Sequence, residues 1–400
     1  MEFSRVELTA EHQAFQDDLR RFLGSIVTDE VIRRDRETGE NFDEGVHLAL
    51  GAKGYLKEYY KAEADGGYDA LHMRIFELEI GRSRTPWFHS GTTRMVAQAL
   101  QQFGTPELVA AVLPGVLAGD TRLCLGYTEP EGGSDVATCK TRAVRDEADG
   151  STWIVNGSKM FTSNAQNAQY VFLITNTDAD APKHQSLTMF LVPMDSPGIE
   201  VQGIRTVDGD RTNITYYSDV RVDDKYRVGE VNGGWVVLRG ALNAEHGTID
   251  RDAEGLQKVA AMSEHVTLLA EAADRIARIV SVPDDDGHRL IDDEAVKYRL
   301  GRSIARMEAA MSTPDMFGRV ANTQALRGLT PDLMDILGNA SALSVGTDGA
   351  ADDGGAEFLF RLASPMGIYG GTLEVFRNMI AQQALGLGRP NYSPPVVRPT

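Results

Sequence analysis

The chain has 400 residues, 42% of them hydrophobic, and a formal net charge of −18. That length suffices for two or three domains around a sizeable core, and the negative charge opposes a phosphate backbone, so no nucleic-acid partner is expected. No run of 18 apolar residues predicts a membrane span, the opening MEFSRVELTAEH lacks the basic and apolar regions of a secretory signal, and Cys124 and Cys139 make no metal pattern and read as reduced thiols of a cytoplasmic protein.

The first element reads as a helix. Thr9 can cap it with Glu11 in the first turn, and Phe15, Leu19, Phe22 and Leu23 form one apolar stripe at i, i+4, i+7 and i+8. Asp65-Gly66-Gly67 breaks the chain before a second helical stretch around Leu71–Ile80. Gly104-Thr105-Pro106-Glu107 opens another helix with proline in its first turn, and Leu117-Ala118-Gly119-Asp120 closes it. After Asp120 the texture turns to short β-rich runs: Trp153-Ile154-Val155, Tyr170–Thr175, Leu187–Val192 and Ile214–Val222. Asn156-Gly157, Asp195-Ser196-Pro197-Gly198 and Asp208-Gly209-Asp210 are expected as the turns between them. From Gly233 to Leu387 the pattern is helical again. It is broken near Pro283–Gly287 and by a Gly/Asp-rich loop at Gly346–Gly355, expected to be mobile; the tail Pro390–Thr400 is expected to lie extended.

Within this frame, Leu125-Gly126-Tyr127-Thr128-Glu129-Pro130-Glu131-Gly132-Gly133-Ser134-Asp135 resembles the signature of the acyl-CoA dehydrogenase family. Alone, Glu131–Asp135 reads equally well as a surface turn. A second segment, Asn156-Gly157-Ser158-Lys159-Met160-Phe161-Thr162-Ser163-Asn164, resembles the family's other flavin segment, with Phe161 in place of the usual tryptophan. Tyr217–Val222, Gly229–Leu238 and Gly367-Ile368-Tyr369-Gly370-Gly371-Thr372-Leu373-Glu374-Val375-Phe376-Arg377 follow in the family's order, as does Leu385-Gly386-Leu387. The resemblance implies an α+β fold: an N-terminal helical domain over 1–122, a middle β-barrel domain embracing flavin over 123–228, a C-terminal four-helix bundle over 229–390, and an extended tail over 391–400. It also implies FAD and a tetramer. Tyr127, Thr128, Ser134, Phe161 and Ser163 are expected at the flavin's isoalloxazine and ribityl side, with Thr372 and Glu374 towards its other end. Ser134, Asn243, His246 and Tyr369 are expected to meet the substrate. No metal is expected.

The chemistry implied is removal of a proton from Cα of a CoA thioester and of a hydride from Cβ. Many family members carry the catalytic glutamate directly after the C-terminal tyrosine, where this chain has Gly370. Relatives acting on isovaleryl and long-chain substrates resemble it instead in carrying the base on the helix after the β domain, and Glu245 falls on that position. Trp235, Leu238, Leu242 and Glu245 are spaced by 3, 4 and 3, which puts Glu245 on the apolar stripe if the helix is unbroken. A carboxylate there should have a raised pKa, as a base needs. Gly370 keeps a role through its N–H, which can donate to the thioester carbonyl.

Two departures bear on assembly. The arginine usual after the helix glutamate is His246, and the Arg-x-x-Phe-Gly and Gln-x-x-Gly-Gly segments that reach a neighbour's FAD are missing; the corresponding regions read Tyr298–Arg306 and Asp335–Asn339. This resembles dehydrogenases of actinobacterial steroid catabolism, notably through Thr215-Tyr216-Tyr217-Ser218-Asp219-Val220, and implies a paralogous partner in an α2β2 tetramer, or else a homotetramer. Steroid side-chain thioesters are an implied substrate class, and an electron-acceptor flavoprotein an implied partner. A non-catalytic structural subunit and an acyl-CoA oxidase are the alternatives.

Overall fold

The computed structural model describes residues 7–245 and 264–388. Helices come first: α1 (Ala10–Ile26), α2 (Asp29–Thr38), α3 (Glu44–Lys53), α4 (Tyr55–Tyr60), α5 (Ala70–Arg82), α6 (Phe88–Phe103) and α7 (Pro106–Ala118). Thr9 caps α1 by accepting from the His12 N–H at 3.3 Å. Leu19 and Leu23 are buried, with Phe15 and Phe22 packed beside them, so the expected stripe faces the core. Pro106 sits in the first turn of α7, where a missing N–H costs nothing, and Gly119 ends that helix at φ +89°.

The middle region folds as β1 (Leu123–Gly126), β2 (Arg142–Arg145), β3 (Thr152–Lys159), β4 (Tyr170–Asn176), β5 (Leu187–Pro193), β6 (Ile199–Arg205), β7 (Arg211–Asp223) and β8 (Arg227–Val228). They form one sheet in the order β6-β7-β3-β2-β4-β5-β8, with β1 paired in parallel to β4. Cys124, Ala143, Trp153, Val171, Phe190 and Tyr217, from six of these strands, share one core, so the sheet wraps around a common interior. Both cysteines are buried and unlinked.

One expected turn proves to be something else. Asn156-Gly157 lies inside β3 rather than between strands. Val155 faces Val220 but Gly157 faces Tyr217, so β7 carries one extra residue there. Asp219 takes φ +50° at this bulge, and the Asn156 side chain both accepts from its N–H and donates to its carboxylate at 2.9 Å. Asn-Gly thus serves a bulge, which turn chemistry alone does not distinguish from a hairpin. The extra residue shifts the alternation of β7. Thr215 and Tyr217 on one side of it, and Val220 and Val222 on the other, all face inward.

The last region comprises α8 (Gly234–Glu245), α9 (Glu264–Val280), α10 (Glu294–Met311), α11 (Asp315–Leu337), α12 (Gly355–Ala363) and α13 (Leu373–Met379). Leu269, Leu300, Leu326 and Leu359 bring α9 to α12 into one core. The Gly/Asp-rich loop before α12 contains a 3-10 turn at Ala351–Gly354. Its Asp352 carboxylate is buried and receives both Arg275 nitrogens, at 2.8 and 3.0 Å, which ties the loop to α9. Among the described residues no helix is long and apolar enough to cross a membrane.

Candidate active site

The two motif segments of the β region are fastened together from beneath. Glu129 and Lys159 are buried and form an ion pair at 2.7 Å. Glu129 also accepts the Lys140 and Thr141 N–H groups at 2.6 and 2.8 Å, and Lys159 Nζ reaches the Tyr127 carbonyl and Cys139 Sγ. Burial by itself would raise the Glu129 pKa. The adjacent ammonium, with hydrogen bonds from Lys159 and Thr141, instead holds it at about 2. Above the pair, the Met160 N–H donates to the Thr128 carbonyl at 2.8 Å. This arrangement fixes Thr128 and Phe161 as neighbours although they are distant in sequence. Phe161 has φ +56° and keeps 54% of its surface exposed, both costly for a large aromatic residue.

Phe161 and Ser163 line one side of a cavity of about 600 Å³, and Tyr369 and Gly370 line another. The Ser163 hydroxyl meets that of Thr212 at 3.0 Å. The rest of the lining comes from α2, α4, α5, α6, α9, α12 and β1, with loop residues such as Asn41, Arg84 and Thr85. Its volume lies within the range of about 300–1,000 Å³ common to small-molecule sites.

The segment carrying Gly370 is held by Arg319 of α11. This guanidinium is almost wholly buried. It donates to the carbonyls of Met366 at 2.7 Å, Tyr369 at 2.8 Å and Gly371 at 3.5 Å, and to the Thr323 hydroxyl. It also lies over the Phe376 ring, 5.5 Å from its centroid. With its flanking carbonyls pinned this way, Gly370 adopts φ +59° and Gly371 φ +90°, the left-handed region that glycine reaches without strain. Among the described residues nothing accepts the Gly370 N–H.

The other sequence-derived positions scatter more widely. Tyr127 is buried against Phe172, with ring centroids 6.2 Å apart. Thr128 is half-buried, and Ser134 is exposed on the loop after β1, away from the cavity lining. Thr372 caps α13 by accepting from the Val375 N–H. Glu374 is exposed and pairs with Arg377 at 3.6 Å, one turn along the same helix. The backbone of α8 includes Asn243 and ends at Glu245; their side chains and His246 lie outside the described residues. Val237, Leu238 and Ala241 are the buried positions of α8. Position 245 follows Ala241 by four residues and Leu238 by seven, in register with that face.

Three positions were missed in the sequence, and each left a signal. Glu129 and Lys159 stand inside the two motifs themselves, and Lys159 continues the inward alternation of Trp153 and Val155. Arg319 precedes the buried Leu326 and Leu333 by seven and fourteen residues, so a cation sits on the apolar stripe of α11.

The chain belongs to the acyl-CoA dehydrogenase family, whose three domains match the three regions of this fold. The family's N-terminal domain matches residues 9–120, its middle domain 124–224 and its C-terminal domain 256–385. Among particular relatives, the acyl-CoA dehydrogenase FadE26 of Mycobacterium tuberculosis is 31% identical over 97% of this chain and all of its own length. Two solved structures are similar throughout. The steroid acyl-CoA dehydrogenase Tcur3481-Tcur3483 has a TM-score of 0.83 at 28% identity. A chain of the ChsE4-ChsE5 complex from Mycobacterium tuberculosis has a TM-score of 0.82 at 30% identity. Each of these two alignments covers 97% of this chain and 100% of the other.

Proposed function

We propose that this chain is the base-bearing subunit of an FAD-dependent acyl-CoA dehydrogenase that introduces a double bond between Cα and Cβ of a CoA thioester. The observation that carries this reading is the single cavity with Phe161 and Ser163 on one side and Tyr369 and Gly370 on another. The residues fit a flavin. Phe161 presents an uncovered aromatic face that a flat heteroaromatic ring would shield, and Thr128 and Ser163 offer hydroxyl and backbone groups to that ring's polar edge. When bound, FAD supplies the acceptor for the hydride leaving Cβ.

The chain's own residues do the rest. Glu245, at the end of α8, takes the proton from Cα. The unclaimed Gly370 N–H donates to the thioester carbonyl as negative charge develops there, and Arg319 keeps that donor in place through the carbonyls around it. Tyr369, Asn243, His246 and Ser134 approach the substrate, while Tyr127, Thr372 and Glu374 complete the flavin's surroundings. The protein works with a related chain in an α2β2 assembly and passes electrons to a flavoprotein acceptor. The similarity to the steroid acyl-CoA dehydrogenase Tcur3481-Tcur3483 and to the ChsE4-ChsE5 complex supports a steroid side-chain thioester as substrate and a paired subunit.

Glu245→Gln tests the assignment. It keeps the shape of the side chain and removes the basic oxygen pair. Flavin bleaching by an accepted acyl-CoA under anaerobic conditions should slow by about 10²–10⁴, with flavin content and assembly unchanged. Bleaching at the wild-type rate would move the base to another residue or to the partner chain.

A further inference from the structure

Arginines gather in the cavity lining in a way the dehydrogenation chemistry does not use, although Asp35, Glu77 and Glu271 line it too. Arg36 of α2, Arg84 after α5 and Arg94 of α6 all line it. Among the described residues none of the three makes an ion pair or a side-chain hydrogen bond; Arg94 lies over the Tyr59 ring, 5.3 Å from its centroid, and its Nε is buried with no hydrogen-bond partner. Arg275 lines the same wall, but its charge is taken up by Asp352. Three guanidiniums, each with five donors and a permanent charge, thus face one space.

Two further features mark this wall as built for a ligand. Arg36 is crowded. Burial lowers its pKa first, and the neighbouring Arg84 and Arg275 guanidiniums lower it further, against the opposing pull of Asp353 and Asp35. Arg84 stands at φ +56° and Asn41, on the same wall, at φ +52°. Non-glycine residues in that region cost energy and gather at ligand-binding sites. Acids are also present, but among the described residues none forms an ion pair with Arg36, Arg84 or Arg94. Glu271 lies within electrostatic reach of Arg84 and Arg275, and burial raises its pKa. Among the described residues it forms no ion pair with either. Burial pushes Asp35 up to about 6, against the lowering effect of the Asn41 and Phe42 backbone, and its Oδ1 is buried with no hydrogen-bond partner among the described residues.

We infer that the acyl group entering this cavity carries a second carboxylate at its end remote from the thioester, and that Arg36 and Arg84 receive it. A carboxylate offers two oxygens to the forked donors of each guanidinium, and it would relieve the repulsion between them. The substrate class is therefore the mono-CoA thioester of a dicarboxylic acid, with an apolar body between its two ends to suit Ile32, Ile80 and Trp87 on the same wall. This inference rests on the dehydrogenase reading and narrows it to a kind of acyl group.

Binding to the flavin-loaded assembly provides the test, because it does not depend on turnover. Three probes are titrated by calorimetry: the mono-CoA thioester of octanedioic acid, octanoyl-CoA and free CoA. The wild type should bind the dicarboxylic thioester tightest. Arg36→Met and Arg84→Met should each weaken that probe by about tenfold or more, as expected for losing a hydrogen bond to a charged group, and leave the other two unchanged. Thermal melting and flavin content guard against a folding defect, and Arg94→Met serves as a second position on the wall. Equal weakening of all three probes would mean that the arginines read a phosphate of CoA or support the fold, and would overturn the proposal. So would equal wild-type affinity for the two thioesters. In either case, bleaching by octanoyl-CoA would leave the dehydrogenase reading standing. Failure of every thioester to bind would overturn both.

Discussion

Lys159 and Arg319 are both cations buried beneath the same cavity, yet they hold its two walls by different means. Lys159 has a carboxylate beside it, and the pair with Glu129 ties the end of β3 to the loop after β1. Arg319 spends its donors on three carbonyls of a segment that has no sheet or long helix to define it, and on the Thr323 hydroxyl of its own helix. A compact ammonium suits a single close acceptor, whereas a planar fork can pin several carbonyls at once. The β wall therefore gains rigidity from charge pairing. The C-terminal wall gains a defined backbone from the geometry of one side chain, and among the described residues that backbone leaves the Gly370 N–H unclaimed.

Breaking the Lys159–Glu129 pair should have the largest effect. Lys159→Met strands a buried carboxylate, and removal of one partner of such a pair typically costs about 3–5 kcal/mol. Chemical denaturation should record that loss, together with weaker flavin retention. The double variant Lys159→Met with Glu129→Gln should recover most of the stability, because no buried charge is left alone. A double variant no more stable than the single one would show that position 159 matters for shape rather than charge.

Next comes Arg319→Lys, which keeps the charge and loses the fork. Hydrogen bonds made by charged groups are worth about 1.5–3 kcal/mol, and the segment around Gly370 should loosen. The expected signature is a fall in kcat with little change in KM for the thioester. A matched drop in melting temperature with kcat intact would make Arg319 a structural residue only.

Acid exposes the pair without mutation. The Glu129 pKa is depressed, so its contribution to stability is complete above the unfolded value of about 4.3 and is lost as pH falls through about 2. Between those values the wild type should lose more stability than a Lys159→Met/Glu129→Gln variant, as followed by denaturation curves. Parallel curves would deny the pair that role.

The smallest effect is expected at Glu374, whose ion pair with Arg377 is exposed. Glu374→Gln should change stability by less than about 0.5 kcal/mol. Loss of flavin from that variant, with stability intact, would then report a direct contact with the cofactor.

Sequence by itself determined the order of helices, strands and helices, because caps, stripes and alternation are local. Thr9, the Leu19–Leu23 stripe and Pro106 could each be read within one or two turns of chain. It also marked the family, since the two β-region segments and the segment around Tyr369 carry their residue types at fixed positions. Tertiary structure alone decided what those segments do to one another. Asn156-Gly157 has the chemistry of a turn, and only the pairing of β3 with β7 makes it the partner of a bulge. Arg36, Arg84 and Arg94 lie on separate elements, and no spacing along the chain announces that they share a cavity wall. Arg319 and Gly371 are 52 residues apart. A hydrogen bond depends on distance and angle in space, and at that separation only the packing of α11 against the C-terminal segment sets either one.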